Sequence, residues 1–493
     1  MKVETIIGLE IHAELLTASK IFCACSTEFG AEPNSQVCPI CLGMPGTLPV
    51  INERAVEYAV KAGLALNCEI APYSKWDRKQ YFYPDLPKAY QISQYDLPLS
   101  EHGLVQFTME DKLHQVRILR VHLEEEAGKL VHSGDSLHGS DYSLVDYNRG
   151  GIPLIEIVTA PDLRSPEASR LFLERLRTIL RYIGVSDCKM QEGSLRCDAN
   201  INLHIDDDGR ICKTPIVEVK NLNSFRAVER ALNYEVQRQY QEYLDGVYNN
   251  HPGGKVTAGW NDARGFTYVQ RKKEQADDYR YFPDPDLLPV VLERALVEQW
   301  EGELPELPAL REERFIKAYA LPAYDAAVLT SSRVLADYFE AVAKELNDAK
   351  LASNWMMSEV LRLINEEGQE PDDVLPTAKV TPVGLAALLQ MLKTGKVNGN
   401  IAKEVFEEMW HTGHNAVDIV ASRGLEQISD SAELASLVNT VLAANTKVVD
   451  DILKGKTGAI GFLVGQVMKA TKGKANPKMV NDMIQVRLQE MKG

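Results

Sequence analysis

Five short runs in the first 220 residues alternate polar with apolar side chains, and each places an ionisable group on its polar side. They are Gly8-Leu9-Glu10-Ile11-His12, Arg120-Val121-His122-Leu123-Glu124-Glu125-Glu126, Ile152-Pro153-Leu154-Ile155-Glu156-Ile157-Val158, Asp198-Ala199-Asn200-Ile201-Asn202-Leu203-His204 and Val217-Glu218-Val219-Lys220. In a strand, successive side chains point to opposite faces, so Glu10 and His12 share one face while Leu9 and Ile11 share the other. The repetition predicts one mainly antiparallel sheet, apolar behind and acidic in front. A single run of this kind describes any strand with one solvated face; five together point to a built site. Glu156 is the sharpest case, because a carboxylate inside a near-continuous apolar strand needs a partner.

At 493 residues the chain is too long for one core. The strand-like patterns end near the proline-acid stretch Pro283-Asp284-Pro285-Asp286. Beyond it, apolar residues recur every three or four positions at 310–320, 331–346, 351–366, 383–394, 400–411, 431–453, 459–472 and 478–491, the period of amphipathic helices. The expected architecture is therefore α+β: a sheet domain over 1–292, a helical domain over 293–410 and a helical tail over 411–493. No apolar run approaches the ~20 residues of a membrane helix, and the N-terminus lacks a signal-peptide core, so a cytoplasmic protein is expected. The net charge of −16 argues against wholesale coating of nucleic acid, but it is uneven. Residues 441–493 carry nine Lys/Arg against four Asp/Glu, a basic tail suited to a local nucleic-acid contact.

Four of the eight cysteines cluster as Cys23, Cys25, Cys38 and Cys41. Cys38-Pro39-Ile40-Cys41 has the spacing of a zinc knuckle, and four thiolates would make a structural zinc site with no open position. Cys23-Ala24-Cys25 is one residue shorter than the usual pair. Asn52, Ser165 and Ser224 read as N-caps of helices, the second strengthened by Pro166 at the first helical position. Between the first two lies Ser74-Lys75-Trp76-Asp77-Arg78-Lys79-Gln80-Tyr81-Phe82-Tyr83-Pro84, whose interleaved cations and aromatics can hold phosphate and stack a base. No phosphate-binding P-loop, dinucleotide fingerprint, GxSxG elbow or amidase nucleophile loop is present. Carboxylates, one histidine and a nearby lysine suit Mg²⁺-assisted phosphate chemistry, with Arg78 or Lys79 as the clamp.

These phrases together resemble the GatB/GatE family, whose members are the B components of tRNA-dependent amidotransferases. The likeness extends through Tyr81-Phe82-Tyr83-Pro84-Asp85-Leu86-Pro87-Lys88, His122-Leu123-Glu124-Glu125, Tyr147-Asn148-Arg149-Gly150-Gly151, Glu192-Gly193-Ser194-Leu195-Arg196-Cys197-Asp198 and Asp278 to Asp286. Ala160, Ala258 and Gln270 depart from residues common in the family. The resemblance implies amidation of mischarged Glu-tRNA(Gln) or Asp-tRNA(Asn): ATP activates the side-chain carboxylate and ammonia displaces the phosphate. It also implies two partners in a heterotrimer, an amidase-fold glutaminase (the A component) and a small C component. A cradle-shaped N-terminal domain and a YqeY-like tail that contacts tRNA complete the implied architecture. Carried over residue by residue, the cradle site falls on Glu10, His12, Lys79, Glu124, Glu125 and Glu156. Glu10, His12 and Glu125 are expected to bind Mg²⁺, and Glu124 or Glu156 to receive ammonia. Arg78, Lys79, Tyr81, Glu192 and Asp198 are expected to line the nucleotide. Two other readings compete, a tRNA-binding assembly module whose acidic face is merely solvated and a metal-dependent nuclease.

Overall fold

The structure, a computed structural model, describes residues 1–132, 142–248, 254–273, 279–425, 431–453, 459–471 and 475–491. It divides into two compact units, Met1–Leu307 and Pro308–Gly493.

The first unit is built on a ten-stranded sheet. Its strands are β1 (Lys2–Glu14), β2 (Glu69–Ile70), β3 (Ser100–Met109), β4 (Lys112–Glu125), β5 (Pro153–Thr159), β6 (Leu195–Asp207), β7 (Arg210–Lys213), β8 (Ile216–Leu222), β9 (Lys255–Asn261) and β10 (Phe266–Lys273). They lie in the order β10-β9-β8-β6-β1-β5-β4-β3-β2, with β7 pairing β6; β8 and β9 run parallel and the other pairs antiparallel. The five polar–apolar runs thus become five neighbouring strands, β8-β6-β1-β5-β4.

One face of this sheet is covered by helices whose starts follow from their caps. Asn52 accepts from the Arg54 amide before α1 (Glu53–Ala65), Ser165 from Ala168 before α2 (Pro166–Tyr182) and Ser224 from Ala227 before α3 (Phe225–Leu244). Gly184, at φ +71°, supplies the left-handed step that ends α2. Ile7, Leu9, Ile11 and Ala13 from β1 pack in one core with Phe172, Leu173 and Leu176 of α2 and Val228 and Leu232 of α3. The other face of β1 is left for Glu10, His12 and Glu14.

A register shift decides which residues of β4 reach that face. Val158 pairs with Arg120 while Thr159 pairs with Ile118, so β4 carries one extra residue at this point. Upstream the buried apolar positions are Val116 and Ile118, and downstream they are Val121 and Leu123. The parity change turns Arg120, His122 and Glu124 toward the polar side.

A small three-stranded sheet places Asp77–Gln80 between Tyr90–Ser93 and Phe282–Pro283. The first core continues past the expected boundary at 292, taking in Trp300 and the partly buried Leu307.

The second unit is helical. One core gathers Phe315, Phe339, Trp355, Leu389 and Phe406, and it extends through Ala416, Ile419 and Val420, beyond the expected break at 410. The helix Ala416–Arg423, too short to show a period between its flanking glycines, supplies those last residues. A separate core of Leu434, Val438, Leu463, Val467, Val480 and Ile484 holds the tail helices. Among the described residues, no single helix is long and apolar enough to cross a membrane.

Candidate functional site

β1 runs between β5 and β6, and register brings the polar residues of all three into rows. His12 lies opposite Glu156 on one side and Arg196 on the other; Glu156 in turn lies opposite His122. Glu10 lies opposite Asp198. His12 Nε2 is 3.4 Å from Glu156 and 3.9 Å from Glu10, while His122 Nε2 is 3.3 Å from Glu124 and 3.5 Å from Glu156. Glu156, the carboxylate in an apolar strand, therefore has two imidazoles and, at 3.7 Å, Arg120 as partners. Ligand atoms of Glu10, His12 and Glu156, and likewise of His122, Glu124 and Glu156, lie within 4.8 Å of one another.

Burial opposes the charge on Glu124, but Lys79 and His122 hold its carboxyl well below the usual range. Glu124 accepts from Ser93 Oγ at 2.6 Å and from Gln91 Nε2 at 3.1 Å. Burial likewise opposes the charge on Glu156, which His122 and His12 still hold down. Glu10 is pushed the other way, by burial and by the Glu156 charge. Burial disfavours charge on His12, yet its hydrogen bond to Glu156 leaves the imidazole above the ordinary histidine value. For Lys79 too burial disfavours the charge, and Glu124 more than offsets it, so the ammonium persists. Among the described residues, no carboxylate lies within 4.0 Å of Lys79 Nζ, which sits 5.2 Å over the Tyr279 ring. A cavity of about 310 Å³ is lined by His12, Lys79, Tyr81, Glu124, Arg196 and Lys220, among others.

Three of the expected residues stand elsewhere. Glu125 falls on the opposite side of β4 from Glu124, as strand alternation requires, and cannot join Glu10 and His12 around one ion. It is buried against Lys88 Nζ at 2.5 Å and the Ile92 amide at 2.8 Å; Glu156 occupies the place expected of it. Arg78 is committed to Asp284 at 2.6 Å and Asp286 at 3.1 Å, with its guanidinium over the Tyr90 ring, and does not line the Lys79 cavity. Glu192 pairs with Lys189 at 3.2 Å and lines a different cavity with Arg149. Asp198 is close to Glu10 but is bound by Lys220, which also reaches Glu218 at 3.0 Å.

Sequence reasoning passed over His122, Arg120, Arg196 and Glu126. The signal for His122 was its place two residues before Glu124 on an alternating strand. Arg196 could be found only by pairing, since it lies across from His12 and binds Glu126, a buried carboxylate also 3.7 Å from Arg149. Around the polar face, His122 Nδ1, Arg120 Nε and Arg196 Nε are buried without a hydrogen-bond partner among the described residues.

The cysteine cluster forms as the spacing predicts. The four Sγ atoms lie within 4.8 Å of one another, and Cys38 and Cys41 are 3.9 Å apart. Zn–S bonds of about 2.3 Å in a tetrahedron set sulfurs about 3.8 Å apart. The Cys38 amide donates to Cys41 Sγ at 3.1 Å, and Gly43 at φ +66° closes the knuckle. A hydrogen bond from Cys23, helped by the Cys38 amide and Lys20, draws the Cys41 thiol down to about 4, while burial pushes Cys25 up to about 11. This donor set fits a metal that binds thiolate.

A sequence model of the GatB/GatE catalytic domain matches residues 5–298, and one of the GatB domain matches residues 337–488. The chain belongs to the GatB/GatE family. Among its GatB/GatE relatives, the B component of the aspartyl/glutamyl-tRNA(Asn/Gln) amidotransferase of Moorella thermoacetica is 55% identical over 491 residues, covering 99% of this chain and all of the relative. The proteins of the same name from Caldanaerobacter subterraneus and Thermodesulfovibrio yellowstonii are 52% identical over 491 residues and 50% identical over 485, covering 99% and 98% of this chain and 100% and 99% of theirs. The GatB/GatE catalytic match contains both the polar face and the cysteine cluster.

Proposed function

We propose that the polar face of β1, β4 and β5 carries ATP-dependent amidation of a glutamyl or aspartyl side chain esterified to tRNA, as Glu-tRNA(Gln) or Asp-tRNA(Asn). The observation that carries this reading is the juxtaposition in one cavity of a persistent cation, Lys79, with a buried, ionised Glu124 and with His12. A carboxylate is a poor acyl donor. Transfer of the terminal phosphoryl group of ATP to a side-chain oxygen makes a leaving group. Ammonia then forms the C–N bond as the C–O bond to phosphate breaks, and the nitrogen gives up a proton.

Lys79 faces the phosphate oxygens, and the partnerless Nε–H donors of Arg120 and Arg196 suit the same anion. Glu10, His12 and Glu156 fit a divalent cation: two carboxylates and an imidazole converge there, and a positive ion would offset the burial and the Glu156 charge that push Glu10 up. A bound Mg²⁺ supplies neutralisation of phosphate charge. Glu124 is too weakly basic to be an efficient proton acceptor, so it orients ammonia through an N–H hydrogen bond. The cysteine cluster holds structural Zn²⁺. Ammonia comes from an amidase-fold partner, braced by a small third protein, and the basic tail contacts tRNA.

The test supplies Glu-tRNA(Gln), ammonium chloride and Mg-ATP to this chain with its small partner and without the glutaminase. Formation of Gln-tRNA with ADP release is expected, and Glu10→Gln or Glu156→Gln abolishes it while tRNA still binds. Normal amidation by both variants would overturn the assignment and favour a solvated face on an assembly module.

A further inference from the structure

Beside the cavity lies a group of rings that the chemistry above does not use. Phe82 is 69% exposed, Tyr83 47% and Tyr81 44%, on the loop that follows Gln80. They are joined by rings from a segment about 200 residues later. Tyr81 lies 5.8 Å from Tyr83 and 6.2 Å from Tyr279; Tyr279 lies 6.1 Å from Tyr281, and Tyr281 stacks on Tyr95 at 4.3 Å. The two segments are held side by side by backbone. Phe282 and Pro283 pair with Arg78 and Asp77, and the Gln80 amide donates to the Tyr279 carbonyl. Cations lie among the rings: Lys79 Nζ over Tyr279 at 5.2 Å and the Arg280 guanidinium over Phe82 at 5.8 Å.

Contiguous exposed apolar surface marks a binding site, and aromatic faces flanked by cations suit a nucleobase with its phosphates. Tyr81 lines the cavity that holds Lys79, Glu124 and His12, so a ring stacked on it lies within one nucleoside of the reacting groups. We propose that Tyr81, Phe82 and Tyr83, with Tyr279, form a stacking platform for an adenine ring. The platform rests on the function proposed above, where two substrates bring adenine to the cavity: ATP, and the 3′-terminal adenosine whose ribose carries the amino acid.

The test measures binding to the full chain without turnover. Its probes are ATP, ribose 5′-triphosphate, an acceptor-stem minihelix ending in CCA and the same minihelix with an abasic 3′ terminus. Tyr81→Ser and Tyr83→Ser are expected to weaken ATP or the CCA minihelix by about 5- to 150-fold, as loss of one stacked base implies. The affected intact probe then binds no better than its base-free counterpart, and Tyr81→Phe keeps wild-type affinity. A loss confined to ATP places the nucleotide's ring on the platform, and a loss confined to the minihelix places the terminal adenosine there; either supports the inference. Unchanged affinity for both intact probes in both serine variants would overturn it, as would wild-type protein that binds base-free probes as tightly as intact ones. The Glu10 and Glu156 variants test the amidation reading by turnover, so the two can fail separately.

Discussion

Replacing Lys88 by methionine should loosen the edge of the site without touching the residues that face the cavity. Lys88 Nζ contacts both oxygens of Glu125 at 2.6 and 2.5 Å, and the pair is nearly enclosed, with side chains 12% and 5% exposed. At an effective dielectric of ~20 and this spacing, the gross attraction is about 6 kcal/mol, most of it offset by the desolvation of two ions. What matters on substitution is the carboxylate left behind. Removing one member of a buried pair costs about 3–5 kcal/mol. The Ile92 amide still donates to Glu125 Oε1, which brings the expected loss to roughly 3 kcal/mol. Methionine keeps an apolar stem where Lys88 crosses Gly43, so closely that a Cβ added to the glycine would collide with Lys88 Cγ, and the change therefore isolates charge from packing. Amide exchange in peptides covering 88–93 and 112–125 reads the local opening free energy, which a global melt of a multi-unit chain would blur. Lys88→Met should speed exchange there by about a hundredfold, and Lys88→Met combined with Glu125→Gln should recover at least half of the loss. A single variant with unchanged exchange, or a double variant worse than the single, would refute the reasoning.

Two further outcomes test other parts of the molecule. The purified chain should carry about one zinc per molecule, and Cys41→Ser should lose it while exchange at 38–44 rises; stoichiometric zinc in that variant by metal analysis would sink the four-thiolate assignment. In the helical unit, burial opposes the Glu340 charge, but Arg314 at 2.6 Å, Arg311 at 2.5 Å and Tyr319 at 2.9 Å bring its carboxyl from 4.5 down to about 2. Because the folded value lies below the unfolded one, this stabilisation is complete above pH ~4.5 and vanishes as pH falls toward ~2. Glu340→Gln should therefore destabilise the unit by about 1–3 kcal/mol at neutral pH and by almost nothing near pH 2, and a gap of constant size on acid titration would contradict it.

The sheet was legible because its signal is a period of two repeated five times, and the three strand-adjacent helices because their N-caps, Asn52, Ser165 and Ser224, are residue types whose side chains accept from the first helical turn. Periodicity assigns residues to faces only while strands stay regular, however. The extra residue near Arg120 reverses the parity of β4, and nothing in Arg117-Ile118-Leu119-Arg120 announces it. The resemblance puts Glu124 and Glu125 in one site, though neighbours on a strand face apart. For Arg78 the missing information was long range, since Asp284 and Asp286 occupy its guanidinium from two hundred residues downstream.

The same geometry explains why Glu124 and Glu125 stand together. Gln91 Nε2 donates both to Glu124 Oε2 at 3.1 Å and to the Glu125 carbonyl at 2.8 Å, and Tyr90–Ser93 pairs with the strand that carries Lys79. The Lys88–Glu125 pair ties that small sheet to β4 from one side, while Ser93 and Gln91 grip Glu124 from the other. Lys79 and Glu124 face each other across this junction. The two residues by which the acidic run is recognisable in sequence therefore have different surroundings: Glu124 lines the cavity, and Glu125 holds Lys88 and the Ile92 amide of the neighbouring segment.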